Sequence, residues 1–241
     1  MHTPDRMTRD EVRTALALAA VFFMRMMGLF MVLPVLALYV EHLDAATPLL
    51  IGCALGIYGL TQASLQIAFG KWSDRIGRRP VITVGLAVFV LGGLVAAASN
   101  HIYAVILGRA LQGAGAISGA TLALAADLTR PAQRTKTMAI IGMSIGAAFT
   151  IAFLVGALLD AWFGLRGVFI GGALLGFGAL VLLWTVVPTP TATAHAVEPR
   201  AADGRDTTRE LRHRQAGVFF LPLFLAASFV SIPVLLSSGL G

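Results

Sequence analysis

Long apolar runs alternate with short polar ones along most of the chain. Runs almost free of charge fill 14–40, 49–69, 81–98, 102–124, 137–159, 166–187 and 217–240. A helix needs about 20 residues to cross about 30 Å of hydrocarbon, so each run predicts a membrane span. The last is interrupted by Pro222 and Pro233. The first exceeds the apolar core of a secretory signal, contains Pro34 and is followed by acids instead of a cleavage site, so it reads as a retained span. The pattern predicts an all-α membrane protein: a tail at 1–13, a six-helix bundle at 14–187, a linker at 188–216 and a partial seventh helix at 217–241. The linker begins Pro188-Thr189-Pro190-Thr191 and lacks an apolar face, which predicts no packed domain there.

Composition agrees: 57% of residues are hydrophobic and 12% charged, against about 25% charged in globular domains. Of the 18 Lys and Arg, 15 fall in the tail, the second, fourth and sixth connections. Glu41, Asp44 and Asp160 fall on the other side. Basic residues are retained in the cytoplasm, so both ends of the six-span unit are expected there. The net charge of +6 follows from this bias, and nucleic acid is not an expected partner. The expected surroundings are the lipid bilayer.

Chemistry-bearing clusters are sparse. Cys53 is the one cysteine, and the five His stand apart at 2, 42, 101, 195 and 213, so no metal site is expected. Neither a Ser-His-Asp set nor a phosphate-cradling loop stands out, and no enzyme activity or cofactor is predicted. The glycines instead occur four apart, at 52 and 56, 115 and 119, 142 and 146, and 172 and 176. Such spacing lets helix backbones approach closely in a bilayer.

The most specific segment lies between the second and third runs: Gly70-Lys71-Trp72-Ser73-Asp74-Arg75-Ile76-Gly77-Arg78-Arg79-Pro80. A retention cluster needs only positive charge, yet this one also holds an acid and two spaced glycines. It resembles the loop between the second and third helices of major facilitator superfamily transporters. That resemblance implies the amino-terminal six-helix bundle of a two-bundle carrier. It implies that Gly70 packs closely, Gly77 turns the backbone, and Asp74 latches one access state against a helix end of the second bundle, among the basic neighbours Arg75, Arg78 and Arg79. It further implies an ion pair between Arg78 and Asp127, the acid closing the fourth run; a coincidental loop acid is the alternative.

Two arginines stand inside runs, where a guanidinium is costly unless it meets water or a partner. Arg109 in Leu107-Gly108-Arg109-Ala110-Leu111-Gln112-Gly113 is similar to the superfamily's fourth-helix signature. The similarity implies that Arg109 and Gln112 take part in coupling to protons; snorkelling of Arg109 to the outer interface is the alternative. Arg25 lies nearer mid-span. Tyr58, Gln62 and Gln66 form a polar stripe with a spacing of four. The stripe and Arg25 would line an aqueous path, or the glutamines would glue helices together.

The stretches from Arg25 to Leu36, Gly56 to Ala63 and Leu107 to Gly113 are similar to the YajR-like group of bacterial inner-membrane transporters. The resemblance implies a proton-coupled, exporting carrier of a small molecule, with the proton gradient as energy source. Gly156 is followed by Ala157 where drug exporters usually carry Gly-Pro, which weakens the direction of transport. Two other readings stand beside it: a transport-inactive remnant or half-transporter needing a second subunit, and a non-transporting membrane scaffold.

Overall fold

The computed structural model describes residues 7–38, 43–98 and 100–188. The predicted linker beyond Pro188 and the partial seventh helix lie outside them, as do Glu41 and the histidines at 2, 42, 195 and 213. The described residues form α1 (Arg9–Phe30), α2 (Val32–Leu38), α3 (Pro48–Ile76), α4 (Arg78–Ala97), α5 (Ile102–Ala114), α6 (Ser118–Asp127), a 3-10 turn at Pro131–Gln133 and α7 (Arg134–Thr185). The chain is an all-α membrane protein. Among the described residues, four helical stretches are long and apolar enough to cross a bilayer: Arg9–Leu36, Pro48–Ile76, Arg78–Ala97 and Pro131–Thr185.

Two details depart from the predicted spans and one agrees with them. The fourth predicted run is not one helix, because the backbone leaves helical geometry between Ala114 and Ser118, with Gly115 at φ −70° and ψ 50°. The fifth and sixth runs are separate helical segments within α7, divided by a kink at Gly164, where φ is 64° and ψ is −170°, outside helical geometry. The charged segment predicted as a loop is almost entirely helical. Its turn shrinks to Gly77, whose φ of 101° is open to glycine at little cost. Pro80 then falls in the first turn of α4, where no backbone donor is missed.

Helix starts follow local chemistry. Thr8 and Glu11 form a reciprocal capping box on α1: the Glu11 amide donates to Thr8 Oγ1 at 3.3 Å and the Thr8 amide donates to Glu11 Oε2 at 2.9 Å. Thr47 caps α3 ahead of Pro48. α1 packs along α7, α4 against α5 and α7, and α3 against α5. The core has two apolar layers, one around Phe22, Leu86, Phe89 and Ile141, the other around Met31, Leu36, Ile102 and Phe169.

Glycine sets how closely these helices approach, though mostly not in the predicted pairs. A Cβ on Gly92 would stand 2.5 Å from the carbonyl oxygen of Gly108, and one on Gly28 would stand 3.1 Å from Gly172 Cα. Gly85 and Gly115 meet as closely. The useful pairing is therefore across helices. Of the pairs spaced by four, only Gly172 and Gly176 both pack tightly. Gly52, Gly56, Gly119, Gly142 and Gly146 have nothing within 4 Å of an added Cβ among the described residues. Gly70 has the same open space, so the close packing expected of it is not found within this bundle.

Candidate functional site

Two polar groupings interrupt the apolar bundle. The first sits where α3 meets α4. Arg78 leads α4, and the one-residue turn at Gly77 brings its side chain back over the end of α3. Its Nη1 donates to Asp74 Oδ1 and, at 2.7 Å, to Ser73 Oγ. Its Nε donates to Asp127 Oδ2 at 3.2 Å, at the end of α6. The expected Arg78–Asp127 pair is present, and Arg78 also holds Asp74. Ser73 completes the chain by donating to the Gly70 carbonyl at 2.8 Å. Asp74 remains 62% exposed at its side chain, against 28% for Asp127, so Asp74 is the acid open to a further partner. Arg75 is exposed.

Arg79 serves a different purpose from its neighbour. Its Nη2 donates to the carbonyls of Leu183 and Trp184 at 2.9 and 3.2 Å, and its guanidinium lies 4.9 Å from the Trp184 ring. Those carbonyls end α7, where helical partners run out and positive charge is favourable. Trp184 Nε1 donates to Thr83 Oγ1 at 3.1 Å, a second tie to α4.

A third ion pair was not anticipated from the sequence. Glu11 accepts from Arg130 Nε at 2.7 Å and Nη2 at 2.8 Å, and from the Arg130 amide. This joins the first turn of α1 to the segment after α6. The two-pronged hydrogen bond from the Arg130 side chain holds the Glu11 carboxyl down at about 2 against burial, and raises Arg130 in turn. The Thr8-x-x-Glu11 spacing announced the cap, but nothing local announced a partner 119 positions away.

The second grouping is buried in the apolar part of the bundle. Arg25 and Arg109 both have 0% exposure, so Arg109 does not snorkel. Arg25 Nη2 donates to the Gly115 carbonyl at 2.9 Å, and its guanidinium lies 5.7 Å from the Phe89 ring. Gly115 is where the fourth span breaks, and its carbonyl also accepts from the Ile117 amide at 2.9 Å. A backbone acceptor freed from its helix must be satisfied inside a bilayer, and Arg25 does so. Arg109 Nη1 donates to Gln112 Oε1 at 3.1 Å, while its guanidinium lies 4.6 Å from the Tyr58 ring. Gln112 is fully buried and Tyr58 nearly so; Gln62 and Gln66 are half-buried.

Several atoms here have no hydrogen-bond partner among the described residues: Arg25 Nε and Nη1, Arg109 Nε and Nη2, Gln112 Nε2, Tyr58 hydroxyl and Gln62 Oε1. The described ion pairs involve neither buried arginine. The structure thus joins Tyr58, Arg109 and Gln112, and separately Arg25 and Gly115. Among the described residues no group of His, Cys, Asp and Glu could hold a metal ion.

Comparison with known proteins places the chain in a family. Residues 18–241 match the family described as Major Facilitator Superfamily. The chain is 43% identical over 235 residues to the inner membrane transport protein YajR of Escherichia coli, covering 95% of this chain and 51% of that protein. It is 29% identical over 206 residues to a class E tetracycline resistance protein of Escherichia coli, covering 83% of this chain and 50% of the relative. The fold resembles a crystal structure of the human organic anion transporter MFSD10 with a TM-score of 0.65 at 21% identity, over 78% of this chain and 49% of that one. The chain spans about half the length of the curated relatives named here.

Proposed function

The chain belongs to the Major Facilitator Superfamily, and from that premise we propose that it forms the amino-terminal bundle of a proton-driven carrier that exports a small molecule by alternating access. Its place is the bacterial inner membrane, with the amino terminus in the cytoplasm. The observation that carries this reading is the triad at the α3–α4 turn, where Arg78 holds Asp127 on one side and the exposed Asp74 on the other. A static scaffold has no use for an acid held at the rim and open to a further contact. A helix end of a second bundle would bind Asp74 through its positive dipole end, and breaking that contact would release one access state.

Other features fit the same reading. Gly52 and Gly56 on α3 and Gly142 and Gly146 on α7 present small residues with open space in front of them, which suits contact with a second bundle. Carriers of this construction bind at the interface of two repeats near the bilayer midplane. Arg25 and Arg109, with Tyr58, Gln62, Gln66 and Gln112, would then serve the path of substrate and protons. Export fits the relative named for tetracycline resistance, as inner-membrane placement fits YajR.

The test uses the full-length protein in everted membrane vesicles energised by a proton gradient. Proton-linked movement of a fluorescent compound from a panel, lost in Asp74→Asn with normal membrane insertion, is the expected result. Equal transport by Asp74→Asn would remove the latch role. No proton-linked movement of any compound, with the wild type inserted, would count against the carrier reading.

A further inference from the structure

Arg109 holds out two adjacent donors that nothing in the bundle takes up. Its Nη1 is engaged by Gln112, while Nε and Nη2 lack partners among the described residues. Those two atoms form one edge of the planar guanidinium, the edge that meets both oxygens of a carboxylate. Arg25 offers no such edge. Its Nη2 is committed to Gly115, and its unpartnered Nε and Nη1 do not share a side.

The neighbour on α3 is aromatic. Arg109 is wholly buried, the Tyr58 ring lies over it, and Gln62 one turn along α3 is half-buried. Tyr58 is itself nearly buried, so its ring covers the guanidinium it touches, and its hydroxyl has no hydrogen-bond partner among the described residues. A buried charge lacking a counter-charge is costly, and a bound anion removes that cost.

We propose that Arg109 binds the carboxylate of a small organic acid through its Nε–Nη2 edge, and that Tyr58 is the ring that swings aside to admit it. This rests on the carrier reading and deepens it: the substrate class is a carboxylate-bearing small molecule. Arg109 selects for negative charge and Gln112 fixes the guanidinium plane, while Tyr58 only covers the site.

Titration calorimetry on the purified full-length protein tests this, using benzoate and the matched neutral benzamide as probes. Benzoate binds and benzamide does not, Arg109→Gln weakens benzoate at least about tenfold, and Arg109→Lys, keeping charge without the fork, falls between them. Tyr58→Ala, which removes the cover, binds benzoate at least as tightly as the wild type. Absence of benzoate-selective binding overturns the proposal. An unchanged Kd in Arg109→Gln overturns it too. Should Arg109→Gln not insert, loss of benzoate binding in Tyr58→Ala decides against it. Binding needs no transport: benzoate binding without proton-linked movement of any compound spares this inference and sinks the carrier reading. Transport without benzoate binding does the reverse.

Discussion

Arg25 in the first span donates to the carbonyl of Gly115, at the break in the fourth, over 2.9 Å. The contact ties a buried charge to a backbone acceptor that the interrupted helix has freed, so each solves a problem for the other. Arg25→Gln is expected to lower stability by about 1.5–3 kcal/mol, the range for losing a hydrogen bond to a charged group. Thermal unfolding of the purified protein checks this; an unchanged melting temperature would mean that the Ile117 amide satisfies Gly115 by itself.

Arg78 makes the ties at the α3–α4 turn jointly. Asp127→Asn leaves Arg78 bound to Asp74 and Ser73, and partly exposed ion pairs contribute about 0–1 kcal/mol. Asp127→Asn should therefore shift the melting temperature little, while Arg78→Gln, which frees both acids, lowers it more. Paired melting curves of the two variants read this directly.

Glu11 gives stability an acid limb. Its carboxyl is lowered from 4.5 to about 2 in the folded protein, so the folded state binds fewer protons than the unfolded one between those values. The contribution is fully present above 4.5 and is lost as pH falls toward 2. Wild type should exceed Glu11→Gln most at neutral pH, with the gap narrowing between pH 4.5 and the acid limit. A gap constant over that window would rule out the Arg130 contact as its source.

The glycine contacts predict opposite outcomes for one substitution at two sites. Gly92→Ala would drive a methyl to 2.5 Å from the Gly108 carbonyl oxygen, and overpacking of this kind costs about 1–3 kcal/mol. Gly142→Ala meets nothing in the bundle and should leave the stability of the amino-terminal bundle unchanged. If the open face receives a second bundle, Gly142→Ala slows transport instead. Melting curves and vesicle transport, run on both variants, separate packing from docking.

Much of this protein was legible in the order of its residues because a bilayer enforces simple rules. Apolar length announced helices, since backbone groups must be satisfied within the segment. The charged cluster with its two glycines announced both a family and the Arg78–Asp127 pair. The finer reading missed where a local pattern had several physical outcomes. Gly-x-x-x-Gly spacing places small residues on one face but cannot say whether another helix lies there, and Gly142 and Gly146 show the open case. Arg130 looked like a retention charge and Arg79 like part of the latch, yet one clamps Glu11 and the other caps α7.

Sequence alone determined that the chain lives in a membrane as helices, where the acid–base cluster falls, and that two arginines lie within spans. Hydrophobicity, charge and glycine act within a few residues of their own position, so these features needed no fold. Only the tertiary structure decided what the buried charges touch. Whether a guanidinium finds a broken helix's carbonyl, as Arg25 does, or an aromatic ring with a free edge beside it, as Arg109 does, depends on helices brought together from distant parts of the chain. Their approach is set by glycines meeting across an interface, a relation no single helix contains.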